Sequence, residues 1–137
     1  MPDISFQNSK GTMVKLSAYR GKAVLLHFWA TWCHVCRTET PTVNALAGKL
    51  KHKNLAIIAL SVDRTPGAAK RYLKARGFAN LKMFFDVGMK SLRAVGVEGT
   101  PTTFLINKQG FMVGFVEGAA GWNSAAAISL LRHYINE

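Results

Sequence analysis

The sequence predicts an α/β fold, a central mixed β-sheet with helices on both faces. Three observations carry this reading. Two apolar runs, Ala23 to Trp29 and Leu55 to Val62, have the composition of strands buried on both sides. Between them Val43, Leu46, Ala47 and Leu50 recur at i, i+3, i+4 and i+7, the stripe of an amphipathic helix, so the three segments form a parallel crossover unit. Farther along, Thr102 to Ile106 and Met112 to Val116 flank Asn107-Lys108-Gln109-Gly110. That is a hairpin signal; its antiparallel pairing makes the sheet mixed.

The remaining elements follow in chain order. Ile4 to Leu16 reads as two short extended pieces around the turn-forming Asn8-Ser9-Lys10-Gly11. Arg20-Gly21-Lys22 opens the first buried strand. Thr65-Pro66 starts a second helix, because proline suits the first helical position. Ala69, Tyr72 and Leu73 form its inner stripe and Gly77 stops it. Met83 to Phe85 reads as a short strand, Met89 to Val95 as a short helix, and Ile128, Leu131 and Ile135 mark a closing helix. No linker or shift in composition divides the chain, so residues 1–137 are expected to form one domain.

At 49% hydrophobic and 18% charged residues, the 137-residue chain is too apolar for a disordered polymer. It has no repeats that would suggest a solenoid or fibre. Its longest apolar stretch, Ala23 to Ala30, is interrupted by His27 and falls well short of the roughly 18 residues of a membrane helix. Met1-Pro2-Asp3-Ile4 has neither the basic nor the apolar region of a signal peptide. The 18 Lys and Arg against 7 Asp and Glu give a net charge of +11. Two cationic clusters, Lys49 to Lys53 and Lys70 to Arg76, fall on predicted helix faces. They are either solvated or a docking surface for acidic partners or an anionic membrane. No nucleic-acid-binding motif accompanies them, so nucleic acid is not an expected partner.

The chemistry lies in Cys33-His34-Val35-Cys36, which follows the first buried strand and sits where the first helix should begin. Residues i and i+3 of a helix hold their Cβ atoms about 5–6 Å apart, so the two sulfurs bond or part with little backbone motion. Free N–H groups and the helix dipole at a helix N-terminus stabilise an anion, which lowers the thiol pKa of Cys33 and makes it the expected attacker. Cys36, a turn further in, would resolve the mixed disulfide. Two cysteines are too few for a disulfide scaffold, and a bridge across so short a loop would stabilise the fold little. A zinc site would need further ligands, and His27, His34, His52 and His133 lack the spacing to supply them.

Phe28-Trp29-Ala30-Thr31-Trp32-Cys33-His34-Val35-Cys36, Pro41, and Gly99-Thr100-Pro101-Thr102-Thr103-Phe104-Leu105-Ile106 resemble the thioredoxin superfamily, and within it the exported TlpA/ResA-like branch. Ser61-Val62-Asp63 through Phe84-Phe85-Asp86 resembles the strand-helix insertion of that branch, and Gly118-Ala119-Ala120-Gly121-Trp122 its Gly-x-x-x-Trp-like element. The resemblance implies a thioredoxin-like fold with an N-terminal strand extension and a cis-Pro101 packed beside the cysteines. It also implies a client-binding surface of Trp32, His34, Val35, Thr100 and Pro101, where the Thr100 backbone pairs with an incoming peptide as an added strand.

Several neighbours carry two readings. Trp32 is either an apolar platform beside the site or core; Phe28 and Trp29 are expected in the core. His34 either pairs with the Cys33 thiolate, favouring the dithiol and a more oxidising couple, or is solvated. His27 occupies the strand position where thioredoxins commonly bury an acid that shuttles the Cys36 proton; it is either that base or a buried, hydrogen-bonded imidazole. Glu98 is either an acid near the site or a surface charge, and Glu39 is expected to be a solvated helix residue.

The expected function is thiol-disulfide exchange with protein cysteines, in an extracytoplasmic compartment such as the bacterial periplasm. It needs a redox partner to recharge the pair and no cofactor or metal. Reduction of client disulfides is typical of the branch, with oxidase or isomerase chemistry as the variant His34 would favour. Two rivals stand beside it. A thiol peroxidase of the same superfamily would carry a Pro-x-x-x-Thr-x-x-Cys pattern, which Ala30-Thr31-Trp32-Cys33 lacks. A copper or zinc carrier would use the two cysteines with His34.

Overall fold

A computed structural model describes residues 1–137. Seven strands form one sheet in the order β2-β1-β5-β4-β3-β6-β7. The strands are β1 (Ser5–Gln7), β2 (Met13–Lys15), β3 (Ala23–Trp29), β4 (Leu55–Ser61), β5 (Phe84–Phe85), β6 (Thr102–Ile106) and β7 (Met112–Glu117). Four helices, α1 (His34–Lys49), α2 (Pro66–Ala75), α3 (Lys90–Ala94) and α4 (Ala125–Asn136), flank it.

β3 is the centre of the molecule, and all seven of its residues are buried. It pairs in parallel with β4, from Ala23↔Leu55 to Trp29↔Ser61, and antiparallel with β6, from Val24↔Ile106 to Phe28↔Thr102. This two-sided burial is why its sequence is an unbroken apolar run rather than an alternating one. The β6–β7 hairpin forms as the Asn107 signal predicts: the Asn107 side chain accepts from the backbone N–H of Gln109 and Phe111 at 3.1 and 2.9 Å. β7, last in the strand order, is an edge strand with Met112, Val113 and Phe115 exposed, and its pairing with β6 carries a register irregularity between Leu105 and Ile106. The core takes in Phe28 and Trp29, which stack edge-on or tilted against Phe104 and Tyr72 at 6.1 and 5.6 Å.

Helix ends obey local chemistry. Thr65 caps α2 by accepting from Ala68 N, and Gly77 leaves the helix at φ +69°. Ser124 caps α4 in the same way through Ala127 N. The expected short helix over Met89 to Val95 forms as α3, and Val87–Met89 ahead of it makes a separate 3₁₀ turn, with Gly88 and Met89 in the left-handed region at φ 62° and 59°. Asp86 supplies the missing continuity. Its buried carboxylate accepts from Ser91 N and Leu92 N at 2.8 and 2.9 Å, so α3 is anchored by a side chain from the preceding loop.

Candidate active site

The site forms where β3 ends. Ala30 to Cys33 leave the sheet, and α1 begins at His34 with Cys33 as its N-cap. The Cys33 sulfur accepts from Cys36 N at 3.2 Å, one of the amides the first helical turn leaves unpaired. Its thiol in turn donates to the Thr100 carbonyl at 3.3 Å. The Thr100–Pro101 peptide bond is cis, and Pro101 is buried beside half-buried Thr100. Two segments far apart in sequence thus meet on one sulfur. Both cysteines are free thiols.

Burial opposes ionisation of Cys33. Hydrogen bonds from the Cys36 thiol, from the Thr100 side chain and from the Cys36 and Val35 backbone amides outweigh it, and the Cys33 thiol lies below its ordinary range. The bond to the Thr100 carbonyl favours the protonated form instead, since a thiolate has no proton to donate. Cys36 is 1% exposed, and burial, followed by its hydrogen bond with Cys33, pushes its thiol up to about 12. The N-terminal thiol is the more ionisable and, at 8% exposure against 1%, the less buried of the two, and its companion is held protonated behind it.

The neighbours separate. Trp32 is 62% exposed, which overturns the core alternative, and Val35 is 42% exposed. His34 is exposed and makes no hydrogen bond to the Cys33 sulfur, whose partners are all thiol, amide or Thr100 groups. Glu98 is exposed on the loop before Pro101, in a shallow cleft with Thr102 and Glu117, and hydrogen-bonds to neither sulfur. His27 is fully buried. Its Nδ1 lies 2.9 Å from Thr103 Oγ1 and its Nε2 3.4 Å from Thr40 Oγ1, so one ring nitrogen donates and the other accepts. Burial pulls its pKa down to about 3, which makes it a neutral strut between β3, β6 and α1.

Glu39 corrects the sequence reading. It is 2% exposed rather than solvated, and its carboxylate accepts from Ala120 N at 3.0 Å and Gly121 N at 3.2 Å. Three residues on, Thr42 Oγ1 accepts from Trp122 N at 3.2 Å. One face of α1 therefore fastens the loop that precedes α4. Sequence reasoning also gave no role to Asp63, 3% exposed, which accepts from Thr31 Oγ1 at 2.7 Å, Thr31 N at 3.1 Å and Ser61 Oγ at 2.7 Å. It ties the end of β4 to the turn carrying Trp32 and Cys33. No local signal marked either one, because Ala120 and Gly121 reach Glu39, and Thr31 reaches Asp63, from segments remote in sequence.

A dithiol at the head of the helix that follows the central strand, with one low and one high thiol pKa and a proline loop against the first sulfur, defines a redox-active protein of the thioredoxin superfamily. Comparison with known proteins agrees. The chain belongs to the AhpC/TSA family, whose model matches residues 1–114. It is 35% identical over 117 residues to the thiol-disulfide oxidoreductase ResA of Bacillus thuringiensis subsp. konkukian, covering 85% of this chain and 67% of that one. ResA of Bacillus subtilis strain 168 is 33% identical, with 85% and 65% covered. The chain thus spans about two thirds of these relatives' length. Among solved structures, the exposed lipoprotein thioredoxin Etrx1 of Streptococcus pneumoniae TIGR4 superposes with a TM-score of 0.76 at 28% identity, covering 96% of this chain and 99% of that one.

Proposed function

We propose that this chain is a protein thiol-disulfide oxidoreductase in which Cys33 attacks and Cys36 resolves. The carrying observation is the geometry at the N-terminus of α1, where the Cys33 sulfur caps the helix through Cys36 N and lies against the Thr100 carbonyl, with Cys36 buried one turn behind it. In the reducing direction the Cys33 thiolate attacks one sulfur of a client disulfide. A Cys33–client bond forms, the client S–S bond breaks, and the departing client thiolate takes a proton from solvent. Cys36 then attacks the Cys33 sulfur, the Cys33–client bond breaks, and the released second client thiolate takes up the Cys36 proton, leaving a Cys33–Cys36 disulfide. The client has gained two electrons and the pair has lost two.

The second step follows from the first. Burial, the hydrogen bond with Cys33 and the Cys33 charge all hold Cys36 protonated in the dithiol. Once Cys33 is in a mixed disulfide, the last two are gone and only burial remains, so the resolving thiol becomes easier to ionise. Ionisation of Cys33 likewise frees the Thr100 carbonyl, which is then open to a client backbone N–H, with Trp32, His34, Val35 and Pro101 as the surrounding contact surface. Neither His27 nor Glu98 is assigned a proton-relay role, because one is locked between threonine hydroxyls and the other is exposed to solvent.

Reduction of clients is the favoured direction. The contact through which His34 would stabilise the thiolate, and so the dithiol, is not made. Work outside the cytoplasm is supported by the likeness to an exposed lipoprotein, and a periplasmic or equivalent compartment suits a couple of this kind. A peroxidase reading is not favoured, since the sequence before Cys33 lacks its motif. Nor is a metal carrier, because no third Cys, His, Asp or Glu gathers with the pair.

Equilibration of the Cys33/Cys36 couple against glutathione tests direction. A potential near the thioredoxin end of the roughly −270 to −120 mV range is expected for a reductase, and one near the other end would reverse the assignment. Failure of Cys36→Ser to trap a mixed disulfide with a model client would remove the exchange reading itself.

A further inference from the structure

The end of the molecule remote from Cys33 carries a feature the thiol chemistry does not use. Three loops meet there. Gly21 N donates to Lys108 O at 2.9 Å, joining the turn before β3 to the β6–β7 turn, and Ala23 N donates to Asn54 O at 2.8 Å, joining it to the loop after α1. Arg20, Lys22, Lys51 and Lys53 on these loops are exposed, and Lys108 is half-buried among them. No acid lies within residues 20–22, 50–54 or 107–111, though Asp3, bonded to Ser17, lines the same hollow as Arg20 and Lys22. The one ion pair in the structure, His133 with Glu137, involves none of these cations. Beside them Phe111, 65% exposed, is the most exposed large apolar side chain of the protein, followed along the edge strand by Met112 at 42%.

We propose that this pole is a docking face for an anionic phospholipid bilayer. Five cations, with Asp3 as an acid close to Arg20, around an exposed aromatic and aliphatic strand end are the arrangement that lets ammonium and guanidinium groups reach lipid phosphates while apolar side chains enter the boundary region. Each basic residue adds to attraction by a negative leaflet, and the protein's +11 charge points the same way. Geometry makes the docking useful. β3 runs from this pole toward the active site, and its seven residues at about 3.3 Å each separate the two ends by roughly 23 Å. The inference is independent of the thiol assignment, because its readout is lipid binding.

The test is co-sedimentation of the whole chain with phosphatidylcholine vesicles containing about one quarter phosphatidylglycerol, against pure phosphatidylcholine vesicles. Binding to the anionic vesicles alone is expected, weakening as salt rises. Lys51→Glu with Lys53→Glu should lower it about tenfold or more, and Phe111→Ser should lower the salt-resistant part. Lys70→Glu with Lys74→Glu makes the same charge change on α2, beside Ser9 and Phe78 rather than at this pole, and should cost much less. Far-UV circular dichroism and the thermal unfolding midpoint of each variant should match the unaltered chain, showing that all are folded. Equal losses from the two charge-reversal pairs, no effect of Phe111→Ser, or no preference for anionic vesicles would overturn the proposal.

Discussion

The carboxylate of Glu39 accepts a hydrogen bond from Gly121 N at 3.2 Å across 82 residues of sequence, with Ala120 N sharing the same oxygen at 3.0 Å. A charged acceptor on the first helix holds the loop that leads into the last one. Glu39→Ala would leave two amides without a partner, and a loss of about 1–3 kcal/mol is expected by denaturant unfolding. Glu39→Gln keeps one carbonyl acceptor and should recover part of it. Unchanged stability in the alanine variant would mean that water replaces the carboxylate freely.

Asp63 makes the corresponding contact on the other side of the cysteines. Asp63→Ala and Thr31→Val should each destabilise the protein. The double variant should lose less than the sum, with a coupling of about 1–3 kcal/mol because both remove one hydrogen-bonded pair. Cys33 alkylation should also slow in Asp63→Ala as the turn before it loosens. Strict additivity, with alkylation unaltered, would separate Asp63 from the site.

His27 gives the fold a pH dependence of definite sign. Its folded pKa is lowered to about 3 while the unfolded chain titrates near 6.5, so between these values the unfolded state binds the additional proton. Stability from this group is complete above pH 6.5 and falls as the pH drops toward 3, by up to about 1.4 kcal/mol per unit. His27→Gln should flatten the acid limb between pH 6.5 and roughly 4.5, above the range in which ordinary carboxylates titrate. Parallel curves for the two proteins would exclude the imidazole as its source.

Thiol reactivity should be ordered. With iodoacetamide at neutral pH, Cys33 in Cys36→Ser should react much faster than Cys36 in Cys33→Ser, and its rate should rise with a midpoint below that of an ordinary thiol. Comparable rates, or the reverse order, would contradict the assignment of attacker and resolver.

Trp32 is too exposed to support the core. Trp32→Ala is therefore expected to change stability by no more than about 0.5 kcal/mol. Its KM for a protein disulfide should rise several-fold, with turnover of a small aromatic disulfide preserved. A large loss of stability would return the indole to a structural role.

The strands, the helices and the place of the dithiol were legible in the chain alone, because each is written in local code. Burial on both faces of β3 demands an apolar run, the α1 stripe repeats with the helical period, and Cys-x-x-Cys at a strand-to-helix junction sets two sulfurs one turn apart. Only the tertiary structure decided the fates of Glu39, Asp63 and His27, and the gathering of Lys108 and Phe111 with the cations around Arg20. Whether a polar side chain is solvated or buried depends on which backbone amide or hydroxyl a segment dozens of residues away brings to it. Local periodicity carries no record of that pairing.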